Sequence, residues 1–168
     1  MTLDEFNNLS SADAIMQLYS CCHCKKWSES VTQLRPFSTM DNLFATAQKV
    51  WLHADEAQIL EAFSGHARIG DIELLRSRYA GRATDEQGQV LAATEETLQE
   101  LQRLNIEYEN RNGFIFIVCA TGKSADEMLA LLKSRINNDR STELTNGAIE
   151  QGKITQLRLQ KLFHTTKK

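Results

Sequence analysis

The stretch YSCCHCKKW holds the densest chemistry in the chain: Cys21, Cys22, His23 and Cys24 set three thiols and an imidazole in four consecutive residues. Such a group could hold a metal or cycle a disulfide. A structural zinc site takes four ligands, usually from two spaced pairs. Cys21 and Cys24 have the spacing of one pair, but no second C-x-x-C or H-x-x-x-H follows, and Cys119, the remaining thiol, lies in an apolar run. A thioredoxin-like role needs a preceding βα pattern, which the residues before Cys21 lack. On a helix, Cys21 and Cys24 share a face and Cys22 points elsewhere. The cluster is therefore read as small apolar residues packed at a helix end, with no metal and with His23 outside any ligand set.

ATGKS looks like the end of a phosphate-binding loop, since it follows an apolar run and opens a helix. The full pattern G-x-x-x-x-G-K-[ST] needs a glycine where this chain has Ile117, and without it the loop cannot wrap its amides around a phosphate. The plainer reading is a helix-start loop capped by Ser124. His66 lies in SGHARIGD, a polar, glycine-flanked stretch between helical patterns, where loops on a rigid scaffold often carry catalytic groups. Taken singly, Glu86 reads as a first-turn carboxylate favoured by the helix dipole, Gln87 as a capping-box partner of Thr84, and Arg158 as a solvated helix residue.

The elements that must position these groups are helical. The chain has 168 residues, 42% hydrophobic and 24% charged, with a net charge of −3. That is enough for one domain with a core, and the acidic balance argues against a nucleic-acid face. No apolar run approaches a membrane span of about 20 residues, and no signal peptide or C-terminal targeting tripeptide is evident. A cytoplasmic location with reduced cysteines is expected. One proline and eight glycines supply few turns, which favours long helices over a many-stranded sandwich.

Ser10 or Ser11 caps a helix through ADAIMQLYSCC, with Ala14, Ile15, Leu18, Tyr19 and Cys22 at helical spacing. A short helix from Trp27 to Leu34 ends at RPF. Another opens at Ser38 or Thr39, with Leu43, Ala47, Val50 and Trp51 on one face, and DEAQILEAF makes the next. The box at Thr84 and Gln87 opens a long helix to about Asn110, striped by Leu91, Leu98, Leu101 and Leu104. GFIFIVCATGKS has strand character but stands alone, so loops, side chains or a ligand must take its backbone hydrogen bonds. Ser124 and Glu127 form a second box before ADEMLALLKSRINN, and STELTNGAIEQGKITQLRLQKLF is a long final helix. The class is all-α, about seven or eight helices with one extended connector.

In order and spacing, CCHCKKW, RPF, WLHADEAQILEAFSGHARIGD, ATDEQ, LNIEYENRNGFIFIVCATGKS, MLALLKSRINND, AIEQGKI and LRLQKLF together resemble the OHCU decarboxylase family, the ureidoimidazoline decarboxylases of urate breakdown. The resemblance implies a single compact helical domain over residues 1–168 that usually pairs into a homodimer. It implies a small-molecule substrate, 2-oxo-4-hydroxy-4-carboxy-5-ureidoimidazoline, converted to (S)-allantoin and CO2 without cofactor or metal, with no nucleic acid or membrane as partner. It makes His66 and Glu86 catalytic. Ala67, Thr84, Gln87, Ile117, Val118, Cys119, Ala120 and Arg158 join Glu86 in binding the substrate. The family most often has proline after the histidine, where this chain has Ala67, so the loop loses one fixed φ.

On that resemblance the chemistry follows from the substrate. Loss of CO2 leaves an electron pair that the ring carbonyl and nitrogens delocalise, so the substrate is its own electron sink. The protein must orient the carboxylate and deliver one proton to one face. His66 suits the proton transfer because an ordinary imidazole titrates at about 6.5. Glu86 would accept hydrogen bonds from ring or ureido N–H groups, Thr84 and Gln87 can give and accept them, and Arg158 offers a donor fork. The backbone of FIVCA would read the polar edge of the ring. A chain that keeps this fold but only binds an intermediate or a partner enzyme is the competing reading, and a purely structural interaction module is a third.

Overall fold

Side-chain caps decide where most helices begin. The computed structural model describes residues 1–66 and 94–163, and the helices named here are those among the described residues. Thr2 accepts from the Glu5 amide and Glu5 reaches back to the Thr2 amide, a capping box that opens α1 (Leu3–Asn8). Ser10 caps α2 (Ser11–Tyr19) and Thr39 caps α4 (Met40–Leu52) through the amides of Asp13 and Asn42. Between them, α3 (Lys25–Gln33) starts at Cys24 without a side-chain cap. A second box, Asp55 with Gln58, opens α5 (Glu56–Ser64).

Further along, Thr94 caps α6 (Glu95–Asn112). The expected box at Ser124 and Glu127 opens α7 (Ala125–Arg135). The final helix α8 runs Arg140–Leu162, with Asp139 Oδ1 accepting from the Thr142 amide at 2.7 Å. The described residues contain these eight helices and no strand, so the chain is all-α as expected.

These residues gather into two compact units, one from Met1–His66 with Ala148–Lys168 and one from Ala67–Gly147. In the first, α3 packs against α2, α4 and α5. Its core joins Phe6, Leu18, Trp27, Val31, Leu43, Ala47, Ala62 and Leu159. The aromatic polar atoms within it are satisfied, as burial demands: Trp27 Nε1 donates to Ala47 O at 3.0 Å and Trp51 Nε1 to Ala148 O at 2.9 Å. Arg35 Nη1 closes the turn before Pro36 by donating to the carbonyls of Phe6 and Leu9, at 2.7 and 2.9 Å.

In the second unit α6 packs on α7, and Thr97 Oγ1 donates across to Asp126 Oδ1 at 3.0 Å. Leu98, Leu101, Leu104 and Tyr108 supply the buried stripe of α6. Gly113, at φ 81°, ends that helix in the left-handed region, where a side chain is strained.

Three expectations change. The cysteines are not on a helix: α2 stops at Tyr19, Cys21 and Cys22 form the turn after it, and Cys24, extended, is the residue before α3. A turn obeys no helical face, so all three thiols point inward. Tyr19, placed at helical spacing with Leu18 and Cys22, is 37% exposed. Thr94 is extended and capping, so no single helix can run unbroken from Thr84 to Asn110.

Candidate active site around His66

α5 ends at Ser64 with Gly65 as its C-cap, and the His66 amide still donates to Phe63 O at 3.1 Å, which fixes the backbone of residue 66 just past the helix. Gly65 lies directly against the His23 side chain. A Cβ built there would stand 2.6 Å from His23 Cβ and closer still to the ring. His23 is held in turn by an edge contact with Tyr19, ring centroids 4.9 Å apart at 79°. The cysteine-cluster histidine is therefore the wall against which the Gly65–His66 backbone is laid, a role its sequence context did not suggest.

Burial makes the three cysteines of the cluster thiols rather than thiolates. Cys21, Cys22 and Cys24 are at most 3% exposed. Burial pushes the Cys22 thiol up to about 12 and raises Cys21 and Cys24 as well, against smaller opposing hydrogen bonds. The three side chains are packed as small buried residues, as the sequence reading expects.

The last helix supplies the side-chain partners of His66. Gln151, fully buried, places Oε1 2.6 Å from His66 Nε2. Its amide nitrogen donates to Thr155 Oγ1 at 3.0 Å. Arg158 donates from Nη1 to Cys21 O at 3.3 Å. Residues 151, 155 and 158 recur at i, i+4 and i+7, which brings them to one helix face.

The imidazole answers to all of them. Burial lowers its affinity for a proton, the hydrogen bond to Gln151 works the other way, and the charges of Arg158 and His23 lower it further, so His66 titrates below the ordinary imidazole range. A neutral imidazole at neutral pH is a proton acceptor ready to become a donor.

In the other unit, the non-helical residues 115–120 are tied down by side chains. Ile117 O accepts from Arg135 Nη1 at 3.1 Å and Cys119 O from Lys123 Nζ at 2.9 Å. Arg135 also lies over the Phe116 ring, 4.6 Å from its centroid, and its Nε meets Glu143 Oε1 at 2.7 Å. Glu143 is fully buried and accepts from Tyr108 Oη at 2.6 Å, Asn138 Nδ2 at 2.7 Å and Asn146 Nδ2 at 2.9 Å. Side chains thus take part of the hydrogen bonding that an isolated apolar run leaves open.

Of the residues singled out in the sequence, His66 and Arg158 come together in the first unit. Ile117, Val118, Cys119 and Ala120 belong to the second. Ala67, Thr84, Glu86 and Gln87 lie outside the described residues. Gln151, Thr155 and His23 were not anticipated. The signal for the first two was the i, i+4, i+7 spacing to Arg158.

The comparisons with known proteins point one way. The family model described as OHCU decarboxylase matches residues 7–160. The uric acid degradation bifunctional protein TTL of Arabidopsis thaliana is 37% identical over 147 residues, which are 85% of this chain and 45% of that protein. The chain thus spans less than half of that relative. The 2-oxo-4-hydroxy-4-carboxy-5-ureidoimidazoline decarboxylase of Haloferax volcanii is 28% identical over 167 residues, covering 97% of this chain and 96% of the other. Among solved structures, an OHCU decarboxylase crystallised in the presence of (S)-allantoin matches with a TM-score of 0.72 and 34% identity, over 87% of this chain and 96% of that one. An (S)-allantoin synthase matches with a TM-score of 0.74 at 20% identity, over 96% of this chain and 54% of that one, a likeness of fold. With nearly its whole length matched, the chain belongs to the OHCU decarboxylase family.

Proposed function

We propose that the protein is a carboxy-lyase that converts 2-oxo-4-hydroxy-4-carboxy-5-ureidoimidazoline to (S)-allantoin and CO2 in urate degradation. The observation that carries this reading is His66, neutral and pinned through Nε2, in a chain matched to the family over residues 7–160. Written as the neutral acid, the substrate differs from the product by CO2 alone; from the carboxylate the reaction also takes up one proton, which ends on the ring nitrogen that receives the electron pair. The C–C bond to the carboxylate breaks, and its electron pair is held by the ring. As the 4-hydroxyl becomes a carbonyl it gives up one proton, and the neighbouring ring carbon gains one. A single imidazole nitrogen can take the first and give the second. Because the ring holds the electron pair, the step needs no cofactor.

Glu86 is assigned as the acceptor for ring or ureido N–H groups, Thr84 and Gln87 as donors and acceptors beside it, and Arg158 as the donor to a carboxylate or carbonyl. Ala67 and the backbone of Ile117, Val118, Cys119 and Ala120 complete the proposed contacts. A cytoplasmic homodimer belongs to the same reading, and light scattering behind size exclusion tests the dimer.

The decisive assay uses freshly generated substrate and follows circular dichroism, because spontaneous decay gives racemic allantoin. The expected result is optically pure product, with His66→Asn slower by at least about 10²-fold. Pure (S)-allantoin at the unaltered rate from His66→Asn would remove His66 from the mechanism. A folded protein no faster than buffer would overturn the activity itself.

A further inference from the structure

An imidazole that takes a proton on one nitrogen must keep the other from doing the same. His66 has its Nε2 2.6 Å from Gln151 Oε1. Which nitrogen of a neutral histidine carries hydrogen is set by the partner of the other, so the orientation of the Gln151 amide matters. That orientation is itself determined. The Gln151 amide nitrogen donates to Thr155 Oγ1 at 3.0 Å. The amide therefore turns its oxygen, an acceptor, toward His66, and Nε2 must be the donor.

We infer that Gln151 is a positioning residue that holds His66 in the Nε2–H tautomer and so makes Nδ1 the nitrogen that exchanges the proton, with Thr155 setting the direction of the amide. Both are buried, Gln151 completely and Thr155 at 4% exposure, so water does not compete for the bonds. The arrangement suits both states of the cycle. In the neutral imidazole Nε2–H donates to Gln151 while Nδ1 is bare, and in the imidazolium Nε2–H still donates while Nδ1 carries the proton. The proton can come and go without any change in the Gln151 bond. The cationic and titratable groups that bear on the ring from the described residues are Arg158 and His23, both of which disfavour the charged form.

The tautomer stands apart from the reaction, and only the role of Nδ1 rests on the activity proposed above. The test therefore begins with the resting protein. Long-range 1H–15N spectra of the full chain labelled in histidine, with His66→Asn for assignment, should show His66 protonated on Nε2 with Nδ1 bare near neutral pH. Gln151→Leu should leave a mixture of tautomers and lower kcat about five- to tenfold, the worth of one neutral hydrogen bond, with KM little changed. Gln151→Glu keeps an acceptor in place. It should restore the single tautomer and move the His66 titration up by about 1–3 units, as a nearby carboxylate does. A merely structural role for Gln151 would leave the His66 tautomer the same in wild type, Gln151→Leu and Gln151→Glu.

Should Gln151→Leu fail to fold, Thr155→Val removes only the hydroxyl that orients the amide and should mix the tautomers in the same sense. His66 found with its proton on Nδ1, or one Nε2–H tautomer kept unchanged in both Gln151→Leu and Thr155→Val, overturns the inference. A wild-type chain with the Nε2–H tautomer but no turnover leaves the tautomer standing and defeats the activity instead.

Discussion

Replacing Gly65 by alanine tests how His66 is seated. The added Cβ would lie 2.6 Å from His23 Cβ and closer to the ring atoms. Those atoms are close to the backbone and cannot swing aside as the tip of a lysine could, so the cost is that of overpacking, about 1–3 kcal/mol. The backbone conformation at residue 65, φ −81° and ψ −3°, suits any residue. Alanine there therefore also gains about 0.4–1 kcal/mol by restricting the unfolded chain. The two effects oppose each other, and the contact should win. At about 2–4 °C per kcal/mol for a chain of this size, Gly65→Ala should lower Tm by a few degrees and displace the His66 backbone, which a fall in kcat would report.

The sign should reverse once the obstacle is gone. In a His23→Ala background, Gly65→Ala should be neutral or stabilising, by up to about 1 kcal/mol. Urea unfolding of the wild type, both single variants and the double variant closes the cycle, with an expected coupling of about 1–3 kcal/mol. A Gly65→Ala variant as stable as wild type while His23 is present, or a coupling near zero, would refute the claim that His23 walls the His66 turn.

In the second unit, Glu143→Gln leaves the Arg135 guanidinium buried without its carboxylate and should cost about 3–5 kcal/mol in urea unfolding. Burial pushes the Glu143 carboxyl up, but hydrogen bonds from Asn138, Tyr108 and Asn146 and the Arg135 charge outweigh it and hold it low. Its stabilisation is therefore fully present above about pH 4.3 and is lost as pH falls through the lowered value. Glu143→Gln should flatten that part of the stability profile. On the proposed mechanism the activity profile has its own acid limb, since a protonated His66 cannot take the hydroxyl proton. Because His66 titrates below its usual range, kcat/KM should stay high until the pH drops below about 6.5. A midpoint above 7 would contradict the buried, neutral imidazole.

Sequence patterns located helices better than they located partners. Capping oxygens at Ser10, Thr39 and Ser124 marked helix starts because the cap is a local bond between residues three apart. The box at Thr2 and Glu5 carried the same signal for α1 and went unread, as did that at Asp55 and Gln58. The start of α6 was misjudged because Ala- and Glu-rich sequence continues a helical pattern through Thr94, and only the cap geometry shows the break.

Chemistry was harder to read than structure. The cysteine cluster looked like a site because its residue types are reactive, yet burial in a turn keeps the thiols protonated. Gln151 looked like one more polar residue on an amphipathic helix, and its value lies in a contact with a residue 85 positions earlier. No local pattern encodes such a pairing. Arg158 was picked out by family resemblance, and the same helix face, read at i−7 and i−3, would have drawn in Gln151 and Thr155.

The three buried thiols have a use that does not depend on catalysis. Because they are sealed from solvent and held protonated, a thiol reagent can modify them only when the surrounding structure opens. In a Cys119→Ser background, the labelling rate at Cys21, Cys22 and Cys24 would clock the breathing of the packing behind His66. Slower labelling in the presence of a bound ligand would register occupancy of the site in molecules that never turn over.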